Sequence, residues 1–147
     1  NRIIFAEKVS RVEYLARFEV GDLFLDTAPY NAGTTASDAL YAGLPVLTRI
    51  GSTFSGRMAA SILTTMELPE LITQSLEEYE ELAITLATNP VLLRQVRAKL
   101  SHNRSTSILY KPDVFTKNLE RAYQAVYERY SQGLKPAHIE YNAGSIS

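Results

Sequence analysis

The sequence predicts an α/β fold on a parallel sheet, followed by a helical C-terminal part. Short apolar runs alternate with helical patterns through the first half of the chain, as in strand–helix–strand units. Runs such as Val46-Leu47-Thr48 are nearly unbroken, as expected of strands covered on both faces. The second half carries long helical periods and no further strand run of that kind.

Taken in order, Arg2 to Phe5 reads as a buried strand. Ser10-x-x-Glu13 is a capping box opening a helix to Phe18, with Val12, Leu15 and Phe18 on its apolar face. Asp22 to Asp26 reads as the next strand. The turn-rich stretch 27–33 leads to Thr35-x-x-Asp38, a second capping box, and to a helix ending near Tyr41. Gly43 stops that helix and Pro45 opens the strand 46–48. A helix is expected from about Gly56 to Met66, with Ser55 as a sufficient cap. Pro69 to Thr73 reads as a short helix or an edge strand. Ser75-x-x-Glu78 caps a helix to Thr88, and Asn89-Pro90 caps another to about His102. Asp113 to about Gln132 is a long amphipathic helix with Val114, Leu119, Ala122, Val126 and Tyr130 as its inner stripe, ended by Gly133. Residues 134–147 hold few apolar side chains and read as a tail.

Composition narrows the function classes. The chain has 147 residues, 15 Lys plus Arg against 16 Asp plus Glu, and a formal net charge of −1. That balance argues against a general nucleic-acid surface. No cysteine is present, so thiolate ligands, thiol nucleophiles and disulfides are excluded. His102 and His138 lie too far apart in sequence for a metal-ligand spacing. No apolar run has membrane-spanning length. Walker loops and Gly-x-Ser-x-Gly elbows are missing. The chain opens at Asn1 inside a strand pattern, which predicts a segment of a longer protein.

In a parallel sheet, ligands bind beyond the carboxyl ends of the strands, at helix N-termini. The stretch from Asp26 to Asp38 follows a strand and opens a helix. Gly33, Thr34 and Thr35 offer a permissive backbone, N–H groups and two hydroxyls, a set that suits a phosphate or pyrophosphate. Asp38, one turn on, suits a ribose diol. Spacing alone favours the plainer alternative that Thr35 and Asp38 only cap the helix, because capping boxes are common. Arg11, Tyr14 and Arg17 share a helix face that could stack on a nucleobase and read its carbonyls, with the Val9 backbone at a base edge. A solvated face with a half-buried Tyr explains the same spacing. Ser55, Arg57 and Ser61 form a weaker anion candidate. Glu77, Glu78, Glu80 and Glu81 read as a wet face, and Tyr123, Tyr127 and Tyr130 as packing residues.

The run from Asp22 through Thr34-Thr35-Ala36-Ser37-Asp38 to Thr48 strongly resembles the C-terminal catalytic lobe of the O-linked N-acetylglucosamine transferase and SPINDLY family, glycosyltransferase family 41. The likeness continues through Ser55-Gly56-Arg57-Met58-Ala59-Ala60-Ser61, Glu78-Tyr79 and Leu119-Glu120-Arg121-Ala122-Tyr123. The resemblance implies the Rossmann-like C-terminal half of a GT-B glycosyltransferase over residues 1–133. An N-terminal catalytic lobe and TPR repeats would lie upstream. It implies transfer of N-acetylglucosamine from UDP-GlcNAc to Ser or Thr of a protein acceptor, without a metal cofactor, in the cytoplasm. By position, Thr34 and Thr35 match diphosphate-binding threonines and Asp38 the ribose-binding acid. Arg17 matches an arginine at the uracil, Val9 a backbone contact to the base, and Arg11 a lysine near the ribose. Tyr14 and Gly33 stand where well-known members carry His. Those two departures leave a GDP-fucose donor, or a degenerate scaffold lobe, as alternatives. Catalytic groups are expected on the other lobe, so the segment alone is expected to be inactive. The last long helix is expected to be partly uncovered and to favour self-association.

Overall fold

The computed structural model describes residues 2–139. Within residues 1–107, which cluster as one unit, three strands form a parallel sheet in the order β1 (Phe24–Leu25), β2 (Val46–Arg49), β3 (Ile72–Thr73). Phe24 pairs with Val46 and Leu25 with Leu47. Thr48 pairs with Ile72 and Arg49 with Thr73. The central strand is therefore shared, its first half with β1 and its second with β3. Helix α1 (Arg11–Arg17) precedes the sheet, α2 (Thr34–Tyr41) joins β1 to β2, and α3 (Phe54–Thr65) joins β2 to β3. Helices α4 (Leu76–Thr88) and α5 (Pro90–Thr106) follow. This is the Rossmann-like α/β arrangement expected.

Burial explains the unbroken apolar run. Helices α2, α3 and α4 all contact β2, and Val46, Leu47 and Thr48 are fully buried. The core around them is built from Leu40, Leu63, Met66, Leu68, Leu71, Leu86 and Leu100. Asn103 on α5 donates to the Met66 carbonyl at 2.8 Å, pairing a buried backbone acceptor at the end of α3.

The residues from Ile108 onward cluster as a second unit. It contains α6 (Pro112–Ser131), none of whose side chains is buried. The expected tail runs past residue 139 and so lies partly outside the described residues. Among the described residues, no helix is long and apolar enough to cross a membrane.

Several local expectations need correction. Arg2 to Phe5 forms no strand, and Phe5 is 92% exposed. A strand exists by pairing, and β1 pairs only with β2 among the described residues. Val12 is exposed rather than on an inner face of α1. Thr53, not Ser55, caps α3, accepting from the Gly56 N–H at 3.0 Å. Pro69 to Thr73 is both alternatives at once, a 3-10 turn over Pro69–Leu71 and then β3. On α6, Val114 and Ala122 of the stripe are half-buried while Leu119, Val126 and Tyr130 are exposed, so the helix is partly uncovered, as expected; the correction falls on Tyr123, Tyr127 and Tyr130, which were read as packing residues and are exposed. Amphipathic spacing marks a face that can pack; it does not supply the surface to pack on.

The caps at Ser10, Ser75 and Asn89 form as read. Ser10 and Glu13 make the full reciprocal box. Ser75 accepts from Glu78 N–H, while Glu78 reaches back one residue further, to the Gln74 N–H. Asn89 accepts from both Val91 and Leu92.

Candidate functional site

A cleft of about 540 Å³ opens at the carboxyl end of the sheet. It is lined by Asp26, Thr27, Tyr30, Asn31 and Ala32 of the loop after β1, by Gly33, Thr34 and Thr35 at the start of α2, and by Phe54, Ser55 and Met58 of α3. Helix α2 begins at Thr34, with Gly33 as a cap residue that offers no side-chain bond. Thr35 thus sits inside the first turn, and the Thr35-x-x-Asp38 capping box does not form. The reason is visible at Asp38, whose carboxyl oxygens each accept from an Arg11 guanidinium nitrogen at 2.8 Å. Gly33 gives the first-turn N–H groups of α2 no side-chain cap, and such groups have no partner within a helix. Thr34 and Thr35 are exposed beside them. Uncapped donors, two hydroxyls and the positive end of a helix dipole make an anion-accepting surface.

Gly33 matters for space. A Cβ there would stand 2.9 Å from the Met58 terminal methyl carbon. Met58 fills the volume that a side chain at 33 would enter.

The second group of expected residues gathers on α1. Arg11 lies over the Tyr14 ring, its Cζ 5.3 Å from the centroid. Tyr14 meets Phe18 edge-on at 5.0 Å, and Phe18 stands 6.3 Å from Phe24 of β1. This aromatic series seats α1 against the start of the sheet. The bond to Asp38, ahead of a smaller opposing effect of burial, holds the Arg11 guanidinium protonated even more firmly than usual. Arg17 donates to the Glu7 carbonyl at 3.0 Å, drawing the segment before Val9 toward α1. Val9, Arg11, Tyr14, Arg17 and Asp38 do not line the cleft; Gly33, Thr34 and Thr35 do. The Arg11–Asp38 pair is the link between the two groups.

Of the weaker candidates, Arg57 spends its guanidinium on the Ser52 carbonyl, and the Ser55 hydroxyl lies 3.3 Å from that of Thr53. His102 and His138 are exposed. The four glutamates of α4 are exposed, as a wet face requires.

Sequence reasoning missed the polar floor behind the cleft. Asp26, Asn31 and Thr48 are buried together and bonded to one another. Asp26 and Thr48 each end an apolar run at a strand's carboxyl edge, but Asn31 lies in the loop between them, so no local pattern joins the three. Tyr79 of α4 reports the same region. Burial, and then the charge of Asp26, hold its phenol above the ordinary value. Tyr30 and Phe54, 81% and 76% exposed, also line the cleft and were not singled out.

Comparison with known proteins adds the following. Residues 1–119 match the model of glycosyl transferase family 41. The chain is 34% identical over 141 residues to the probable UDP-N-acetylglucosamine–peptide N-acetylglucosaminyltransferase SEC of Arabidopsis thaliana, covering 95% of this chain and 14% of that protein. It is 30% identical over 142 residues to the Caenorhabditis elegans UDP-N-acetylglucosamine–peptide N-acetylglucosaminyltransferase, covering 97% of this chain and 12% of the relative. The fold matches a mutant O-GlcNAc transferase of Thermobaculum terrenum with a TM-score of 0.80 and 32% identity, over 85% of this chain and 24% of that one. The chain thus spans only a small part of the relatives it matches.

Proposed function

The chain belongs to glycosyl transferase family 41, and on that premise we propose that it is the donor-binding lobe of a protein O-glycosyltransferase. The donor in this reading is UDP-GlcNAc and the acceptor a Ser or Thr hydroxyl of a protein. The observation that carries it is the uncapped start of α2, with Thr34 and Thr35 exposed on a cleft at the sheet's carboxyl edge.

Each residue then has a role. The first-turn N–H groups and the two threonine hydroxyls meet the diphosphate and the charge that builds on it as the glycosidic bond breaks. Asp38 takes the ribose diol. Arg11 occupies one lone pair on each of its oxygens, and each oxygen keeps another for a sugar hydroxyl. Tyr14 stacks on the base, Arg17 reads its carbonyls, and the Val9 backbone meets its edge. No metal is assigned a part. The acceptor hydroxyl is activated by an N-terminal lobe, so the chain alone binds nucleotide weakly and transfers nothing. The cysteine-free composition suits a reducing compartment such as the cytoplasm.

Calorimetry with UDP, UDP-GlcNAc, GDP and GDP-fucose, each repeated with EDTA, tests this. UDP preference that survives EDTA supports the reading. Gly33 in place of a donor side chain favours one alternative, a GDP-fucose transferase lobe, which GDP preference would support. Absence of binding by any of the four would leave a scaffold lobe.

A further inference from the structure

The loop between β1 and α2 has to hold Thr34 and Thr35 in place, yet α2 carries no side-chain cap, its cap position being Gly33. What fixes its start comes from behind. Asp26, one residue past β1, is 4% exposed and has no cationic partner among the described residues. One of its carboxyl oxygens, Oδ1, accepts from the Ala32 N–H at 2.8 Å. The other, Oδ2, accepts from the Thr48 hydroxyl at 2.6 Å and from Asn31 Nδ2 at 2.8 Å. Asn31 Nδ2 also lies 2.9 Å from both the Thr48 hydroxyl oxygen and the Arg49 carbonyl.

These contacts allow one arrangement. Nδ2 faces the Asp26 carboxylate and the Arg49 carbonyl, neither of which can donate, so turning the Asn31 amide over would set oxygen against oxygen at both. Asn31 Oδ1 is buried without a partner, a cost the loop accepts to keep Nδ2 inward. The Asp26 carboxylate can only accept, so the single Thr48 hydroxyl hydrogen goes to it, which leaves the hydroxyl oxygen to receive from Asn31. Thr48 is in turn tied to β3, because the Thr73 hydroxyl donates to its carbonyl at 3.1 Å. The polar series therefore runs from β3 through β2 to the residue next to Gly33, and only Gly33 separates Ala32 from the first turn of α2.

We infer that Asp26 is the positioning residue of the anion site: its buried carboxyl group ties loop 27–33 to the sheet and sets where the first turn of α2 points. This rests on the proposal that this turn holds a diphosphate. Asp26 touches no donor atom in that scheme; it acts through Ala32 and Asn31.

The test uses the 147-residue chain and its Asp26→Asn variant, which keeps the size but turns one acceptor into a donor facing donors. In the ligand-free chain, exchange of the Ala32 amide is expected to quicken about tenfold or more, as loss of a bond to a charged group implies. Affinity for UDP should fall by about the same factor, while affinity for uridine, which lacks the diphosphate, holds. Thr48→Ser should keep wild-type values and Thr48→Val should shift them in the Asp26→Asn direction. That pair carries the comparison if Asp26→Asn does not fold. Unchanged Ala32 exchange, or equal losses for UDP and uridine, would overturn the inference. If the wild-type chain binds neither UDP nor uridine, the functional reading falls, and Ala32 exchange still decides the anchor.

Discussion

Arg11 of α1 and Asp38 of α2 meet through a two-pronged ion pair, both bonds 2.8 Å long. The Arg11 side chain is 62% exposed and that of Asp38 only 14%. The acid is held in one orientation by a base that itself remains wet. Such a solvent-exposed pair adds little to stability, so its value lies in aiming the carboxyl group.

Asp38→Ala should therefore cost UDP affinity about tenfold, the worth of a hydrogen bond to a charged group. The same substitution should leave 2′,3′-dideoxy-UDP binding unchanged, because that ligand has no diol to lose. Calorimetry with the two nucleotides separates the ribose contact from general damage. Equal losses for both would remove Asp38 from the ribose.

Gly33 should accept a side chain at little cost. Its φ of −103° is one an L residue can adopt, and the atom a Cβ would press on, the Met58 terminal methyl at 2.9 Å, is the free end of a flexible side chain that can swing aside. Gly33→His is therefore expected to keep near-wild-type stability and to place an imidazole donor at the start of α2. The variant should then bind UDP more tightly than the wild type. Unfolding curves and calorimetry check the two halves, and a loss of about 1 kcal/mol or more would mean that Met58 does not give way.

Legibility followed the physics of each signal. Caps at Ser10, Ser75 and Asn89, and the stop at Gly43, are local and were readable because side chain and backbone lie within three residues. Thr35-x-x-Asp38 had the same local form and misled, because the deciding partner, Arg11, lies 27 residues away. The Arg2–Phe5 run has strand composition but no neighbour to pair with among the described residues, and pairing is not written in a single segment. Thr34, Thr35 and Gly33 were legible as a site because an anion site at a helix start is made by consecutive residues. The Asp26–Asn31–Thr48 network was not, since it joins a strand end, a loop and a second strand.

Three helices end in the same backbone closure, and one of them uses the wrong residue for it. After α2, Gly43 N–H bonds to Leu40 O and Leu44 N–H to Ala39 O. After α6, Gly133 and Leu134 repeat the pattern on Tyr130 and Arg129. After α3, Glu67 and Leu68 make it on Thr64 and Leu63. The turning residue has φ +90° at Gly43, +69° at Gly133 and +56° at Glu67. A side chain in that left-handed region costs about 1 kcal/mol. Glu67 is exposed, so a glycine there forfeits no burial. Glu67→Gly should stabilise the chain by about 0.5–1 kcal/mol, and Gly43→Ala should destabilise it by about 1 kcal/mol or more. Denaturant titrations of the two variants should move in opposite directions.

The start of α1 should respond to acid. The Ser10 hydroxyl, then the Ser10 backbone N–H, hold the Glu13 carboxyl below its ordinary value of 4.5. Those bonds measure 2.7 and 3.1 Å. A carboxyl group with a lowered folded pKa contributes its stabilisation above the unfolded value and loses it as pH falls through the folded one. Helix α1 should thus keep its capping box at neutral pH and loosen progressively below about pH 4.5. Because Arg11 sits on the first turn of this helix, the Arg11–Asp38 bonds should weaken over the same window. A carbon-detected NMR titration should give Glu13 an apparent pKa below 4.5 that returns toward the ordinary value in Ser10→Ala. An unshifted Glu13 in the wild type would mean that the capping box does not persist in solution and that Arg11 is placed by the aromatic series on α1 alone.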